Sequence, residues 1–274
     1  TNRFAVIADN ASLTGLNEFK LNNESDSNYN TVFRWLCDAL YLMNIEYDVI
    51  PADPALFASY ENILVPALYS ATDEVLNALN EFVANGGNMV VTFKSAFSDE
   101  HLKIRHDVQP YIINKALGIQ YDEFTLPDNV TVSCGGKSSK ARDWMEMVDC
   151  TTATPDAMYE HKHWGVHAAI TENSYGKGRA MYLATLFGED TLIEALKLFF
   201  GEQKNEFDAS YPVVIKRGTN MQGEKIIYLL NYSNDEQTVT CYADGLKKLC
   251  DDSTVSAGDC ITLAPWDFSI LYAD

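Results

Sequence analysis

Three short runs in the first hundred residues are apolar without alternation: Phe4 to Ala8, Ile63 to Val65, and, but for Thr92, Met89 to Phe93. A strand with one face in water alternates apolar and polar side chains, so a continuous run demands cover on both faces. The segments between these runs supply that cover. From Asn30 to Met43 the residues Val32, Phe33, Leu36, Ala39, Leu40 and Met43 recur at helical spacing. Asp73 and Glu74 favour the positive end of a second helix, whose Val75, Leu76, Leu79, Phe82 and Val83 share a face. Asn85, Gly86 and Gly87 terminate it. With a short strand from Tyr47 to Ile50, ended by Pro51, this order predicts an α/β fold: a three-layer, mostly parallel sheet with helices on both faces.

Later segments follow a looser rule. The Asn- and Ser-rich stretch from Asn17 to Asn30 reads as a loop, and Tyr111 to Leu117 as a short helix before Gly118. Ile119 to Phe124, Val130 to Ser133 and Trp144 to Val148 are strand candidates for an antiparallel extension. Ala168 to Thr171 and Arg179 to Thr185 flank Tyr175-Gly176-Lys177-Gly178, whose glycines offer the positive φ of a hairpin turn. A helix from Leu192 to Phe200 closes the α/β domain, placed at residues 1–204, and the polar segment from Gly201 to Ser210 reads as a linker. Residues 205–274 contain Val213 to Lys216, Lys225 to Asn231, Thr238 to Tyr242, Cys260 to Leu263 and Phe268 to Tyr272 between turn residues, a small antiparallel β domain.

Charge restricts the partners. A net −19 over 274 residues is the opposite of a nucleic-acid footprint and disfavours anionic membrane surfaces, while a neutral ligand such as a sugar meets no such barrier. Apolar runs such as Ile63 to Leu68 fall far short of a membrane span. Cys37, Cys134, Cys150, Cys241, Cys250 and Cys260 form no C-x-x-C pair and are expected as thiols in a reducing, cytoplasmic setting; a bridge among the last three remains open. The chain starts in a strand-like segment at Thr1, with no initiator methionine or signal-peptide shape, and so reads as part of something longer.

Motifs that would carry chemistry are incomplete. His161-Lys162-His163-Trp164-Gly165-Val166-His167 is the densest set of possible metal ligands, but no Cys or carboxylate at ligand spacing completes it, and Trp164-Gly165 suggests a turn. No metal and no cofactor is expected. Gly176-Lys177-Gly178 and Gly135-Gly136-Lys137 lack the spacing of a phosphate loop, and no Gly-x-Ser-x-Gly or Gly-x-Cys-x-Gly elbow exists. Asp99 and Glu100 leave the carboxyl edge of the sheet, where α/β ligands bind, and are the best ligand-facing carboxylates; the competing reading is a solvated loop with Lys103 and Arg105 as neighbours.

The segments ILVPALYSATDE from Ile63 to Glu74 and FVANGGNMVVTFKSAFSDEHLKIRHDVQP from Phe82 to Pro110 resemble the trimerisation domain of family 42 β-galactosidases in order and spacing. EHKHWGVHAAITENSYGKG from Glu160 to Gly178 resembles a later hairpin of the same domain, and the all-β tail is similar to that family's C-terminal domain. The resemblance implies a scaffold like class I glutamine amidotransferases without their catalytic cysteine. It also implies a parent enzyme that cleaves terminal β-galactosides with retention, using two glutamates on an N-terminal (β/α)₈ barrel. Such a barrel takes about 250 residues of its own, so no catalytic glutamate transfers to this chain. The expected role is a homotrimerising region, inactive alone, with the galactoside bound only by the full-length parent. Lys94, Ser95, Asp99, Glu100, Arg105, His106, His161, His163 and Trp164 are the candidate ligand-facing or interface residues, with Phe97, Leu102 and Trp164 as apolar anchors. The alternative is a stand-alone amidotransferase-like enzyme or sugar-binding protein on the same scaffold.

Overall fold

The apolar runs become adjacent strands. In the computed structural model, which describes residues 2–18, 28–201, 203 and 205–273, β1 (Phe4–Ile7), β2 (Tyr47–Ile50), β3 (Asn62–Val65) and β4 (Asn88–Thr92) lie parallel in the order β2-β1-β3-β4. Strand Gly178–Leu183 adds parallel to β4, with Met181 opposite Val90. From there the sheet turns antiparallel through Ala168–Tyr175, Thr154–Glu160, Thr131–Cys134 and Lys137–Lys140, giving nine strands. Every residue of β1 and β3 is buried, as parallel strands covered on both faces require.

The helices are α1 (Asn10–Glu18), α2 (Tyr29–Leu42), α3 (Pro54–Phe57), α4 (Asp73–Ala84), α5 (Asn114–Leu117) and α6 (Glu189–Phe200). Thr72 caps α4 by accepting from Val75 N, and Asp73 and Glu74 occupy its first turn. Gly118, at φ 64°, ends α5 in the left-handed conformation. Two successive residues of one strand establish the layering. A Cβ on Gly178 would point at the Val83 carbonyl of α4, whereas the Arg179 guanidinium packs on the Phe199 ring of α6, 4.8 Å away. Neighbouring side chains of a strand point to opposite faces, so α4 and α6 cover opposite faces of the sheet.

Several expectations change. The loop expected from Asn17 to Asn30 is entered by α1, which runs to Glu18, and left by α2 from Tyr29; residues 19–27 of it lie outside the described residues. Thr154–Glu160 is a strand that its sequence conceals: Thr154, Pro155 and Asp156 are exposed, and only Ala157 and Tyr159 face inward. The two glycines of the 168–183 hairpin serve different purposes. Gly176 takes the positive φ, 61°, while Gly178 lies where a Cβ would sit 2.1 Å from the Gly87 carbonyl oxygen.

Contacts divide the chain into two units, Thr1–Ala39 with Tyr47–Gly201, and Leu40–Glu46 with Glu202–Asp274. The second is all-β apart from the short segment Leu40–Glu46. One sheet orders Phe207–Asp208, Gln237–Cys241 and Cys260–Leu263; the other orders Val213–Thr219, Lys225–Asn231, Phe268–Ala273, Leu246–Lys248 and Thr254–Val255, all antiparallel. Alternating residues such as Val213, Ile215, Ile227, Leu229, Ile261 and Leu263 form its core. Phe207 belongs to that core too, so the segment expected as a polar linker contains a packed strand. Within the same unit the buried Asn44 donates from Nδ2 to the Ala209 and Val213 carbonyls, and its Oδ1 accepts from Ile215 N.

Candidate functional site

The carboxyl edge of the parallel sheet is closed by two loops bound to each other. Thr92 Oγ1 accepts from Ala67 N at 2.8 Å, Ser95 Oγ accepts from Leu68 N at 3.1 Å, and Ser98 Oγ donates to the Tyr69 carbonyl at 3.2 Å. Ala67, Lys94, Ala96 and Leu102 all have positive φ there. Such strained non-glycine residues persist only where the surroundings enforce them.

Beneath this edge lies a carboxylate that sequence patterning did not single out. Glu146, on strand Arg142–Glu146, is 0 % exposed. Its Oε1 accepts from Lys94 N (2.9 Å) and from Trp144 Nε1 (3.1 Å), and its Oε2 accepts from the Tyr182 hydroxyl (2.6 Å). The Tyr159 hydroxyl donates to the Glu146 carbonyl. Tyr121 is buried near the same carboxylate, its phenol pushed well up by burial and by that charge, but its hydroxyl makes no well-directed hydrogen bond. Burial raises the Glu146 carboxyl above its ordinary range, and the hydrogen bonds from Tyr182, Lys94 N and Trp144 offset part of that shift. The Lys94 ammonium packs 4.8 Å from the centre of the Trp144 ring. A retaining glycosidase needs two carboxylates about 5 Å apart beside a substrate cleft. Glu146 is instead sealed in the interior, and among the described residues no second carboxylate shares its donors.

Lys94 and Ser95, expected to face a ligand or an interface, are both fully buried within this chain, because the turn after β4 folds inward onto Glu146 and Leu68. Phe97 is buried as well, stacked on Tyr69 at 5.6 Å, so it is no exposed anchor, whereas Ile104 and Val108 of the same loop are exposed. Arg105 is a structural tie: its Nη1 meets Asp73 at 2.7 Å, its Nη2 donates to the Ala71 carbonyl, and its guanidinium lies 4.3 Å from the Tyr111 ring centre. Asp99 accepts from the backbone N–H groups of Lys103 and His101, which hold its carboxyl below the usual range. Glu100 and His106 are exposed.

The segment from His161 to His167 is a turn. His161 Nδ1 faces His163 N (3.2 Å), its ring stacks on Trp164, and His167 Nδ1 pairs with Asp149 at 2.9 Å. Among the described residues no three His, Cys, Asp or Glu side chains converge as a metal site. The structure thus brings Lys94 together with Glu146 and Trp144, Arg105 with Asp73, and His161 with His163 and Trp164. Glu146 was legible in one respect: it stands two residues from Trp144 in a strand candidate and so shares its inward face.

Comparison with known proteins matches this architecture to a family. The model of the β-galactosidase trimerisation domain matches residues 2–206, and that of the β-galactosidase C-terminal domain matches residues 214–272. β-Galactosidase BgaA of Clostridium cellulovorans is 24% identical over 237 residues, 85% of this chain and 36% of that protein. LacA of Lactobacillus acidophilus is 26% identical over 242 residues, 86% of this chain and 36% of that protein. The chain thus spans about a third of the length of these curated relatives. Among solved structures, a catalytic mutant of Gan42B, a GH42 β-galactosidase from G. stearothermophilus, superposes with a TM-score of 0.88 at 20% identity, covering 100% of this chain and 40% of that one. The β-galactosidase of Bacillus circulans sp. alkalophilus gives 0.86 at 22% identity, covering 100% and 41%. These likenesses show a shared fold. Among the described residues neither unit is a (β/α)₈ barrel, and by the trimerisation-domain match over residues 2–206 the chain belongs to the glycoside hydrolase family 42 β-galactosidases, of which it carries the trimerisation and C-terminal domains.

Proposed function

We propose that this chain is the homotrimerising and C-terminal region of a β-galactosidase whose hydrolysis of terminal β-galactosides is performed by a barrel outside these 274 residues. The observation that carries the reading is the trimerisation-domain match over the whole α/β unit. The sealed position of Glu146 supports the absence of glycosidic chemistry within the unit. The α/β unit is read as an amidotransferase-like scaffold without a nucleophile, since the turn after β4 presents Phe93, Lys94 and Ser95 and no Gly-x-Cys-x-Gly elbow exists. The exposed Ile104 and Val108, with Asp99, Glu100 and His106 around them, and the Trp164 turn supply the mixture of apolar anchors and polar rim expected of a subunit interface. All six cysteines are free, which supports a cytoplasmic setting. Among the described residues no helix is long and apolar enough to cross a membrane.

Light scattering across a concentration series tests the reading. A weak trimer is expected, strengthened by moderate salt, because a charge of −19 on each copy is self-repelling. A strict monomer at high concentration contradicts homotrimerisation, and a stable dimer contradicts the threefold arrangement. Nitrophenyl β-galactoside should not be turned over. Turnover that survives repurification and disappears with a specific Asp or Glu of this chain refutes the non-catalytic role.

A further inference from the structure

Two loops of the smaller unit, 231–237 and 263–268, are fastened at their base by one buried side chain. Asn231 donates from Nδ2 to the carbonyls of Asp235 (2.8 Å) and Ala264 (2.9 Å), and its Oδ1 accepts from Ser233 Oγ (2.8 Å). Above this tie stands Trp266, a bulky residue at φ 58°, in the left-handed region that such side chains rarely enter. Its backbone N donates to the Ser233 carbonyl at 3.1 Å, and its indole Nε1 donates to Asn234 Oδ1 at 2.8 Å. The edge of the ring is therefore fixed, yet the residue is 61% exposed, with Phe268 (59%) two positions along and Tyr232 (43%) beside Ser233. Holding a large ring rigidly in water, through an unfavourable backbone conformation, pre-organises a contact surface rather than filling a core.

The rim of this surface selects among ligands. Asn234, Asp235, Glu236 and Asp267 are exposed on the same two loops, which contain no Lys, Arg or His. Phosphate and carboxylate ligands find no countercharge there, and an apolar protein partner would have to desolvate the three carboxylates. A neutral polyhydroxylated ring fits both parts: its hydroxyls donate to the carboxylates, and its C–H groups lie on the electron-rich face of the indole. In a galactosyl ring the axial O4 leaves H3, H4 and H5 together on one face, a larger apolar patch than a glucosyl ring offers. We propose that Trp266, rimmed by Asn234, Asp235 and Asp267, is a stacking site for a galactosyl residue. The site rests on the geometry, and the choice of galactose over other neutral sugars rests also on the family reading.

The test uses the full 274-residue chain, titrated with methyl β-galactoside and with a β-1,4-linked galactotetraose, followed by saturation-transfer NMR, with the corresponding glucosides as controls. Binding through H3, H4 and H5 is expected, weakened at least about tenfold by Trp266→Ala and within about threefold of the parent in Trp266→Tyr, as loss or retention of one stacking contact implies. Asn234→Ala, which frees the indole edge but leaves the backbone ties, should give an intermediate loss and serves if Trp266→Ala fails to fold. Unchanged affinity in Trp266→Ala, equal binding of glucosides, or no binding of either galactoside overturns the proposal. So does a Trp266→Ala variant that changes only the sedimentation of the chain, which would mark a protein interface. Galactoside binding by a monomeric chain upholds the site although the trimer fails, and a trimer that binds no galactoside removes the site and leaves the trimer.

Discussion

Replacing Glu146 by Ala is expected to destabilise the α/β unit by about 3–5 kcal/mol, the cost of leaving several buried donors without an acceptor. The substitution abandons three buried donors at once, Lys94 N, Trp144 Nε1 and the Tyr182 hydroxyl. Urea unfolding followed by near-ultraviolet circular dichroism measures the loss, and a change under about 1 kcal/mol would contradict the central place given to this carboxylate. Glu146→Gln keeps the volume and an acceptor and should cost less. It also isolates the pH dependence. Burial raises the folded carboxyl above its ordinary 4.5, so the fold favours the protonated form. The stability this contributes is fully present below the unfolded value and is lost as pH rises through the folded one. The parent should therefore lose stability relative to Glu146→Gln as pH climbs from 4.5; a difference that stays flat with pH rejects the raised carboxyl.

Gly178→Ala should cost at least about 3 kcal/mol, beyond the usual range for an added methyl group, because the obstruction is backbone. The new Cβ would stand 2.1 Å from the Gly87 carbonyl oxygen and 2.4 Å from that of Val83, where α4 ends against the hairpin, so no side chain can move aside. Gly136→Ala provides the contrast. Nothing lies within 4 Å of its Cβ position, and only the φ of 79° opposes the change, a penalty of about 1 kcal/mol. Gly136 stands in a two-residue turn and Gly178 opens the strand just after one, and sequence alone gives them one role. Denaturation midpoints of the two variants separate close approach from backbone freedom, and equal losses would show the close approach to be unimportant.

What could be read in advance follows the strength of local patterning. β1, β3, β4, α2, α4 and α6 were legible because continuous apolar runs and helical periodicity are signals carried within each segment. Thr154–Glu160 was hidden because it lies where the sheet has become antiparallel and faces water on one side, and α1 because Asn10, Ser12, Thr14 and Gly15 dilute its apolar face. Leu246–Lys248 and Thr254–Val255 are too short to carry a period. The candidate residues divide in the same way. That Asp99 leaves the carboxyl edge of the sheet follows from strand direction, but the inward turn that buries Lys94 and Ser95 depends on partners 52 and 27 positions away. Glu146 was one acid among many, since its enclosure is created by tyrosines from other strands.

Asn44 lends the membership of Leu40–Glu46 in the smaller unit a temporal meaning. The three backbone groups that it serves lie 165 to 171 positions further along the chain. A ribosome that adds about 5–20 residues each second leaves this amide without those partners for many seconds while the α/β strands are being made. The smaller unit thus uses a piece made well before its own strands, and closing so long a loop carries an entropic cost that slows its completion. A copy of residues 205–274 made alone would lack that piece altogether. Its Val213 and Ala209 carbonyls and Ile215 N–H would have only water to turn to.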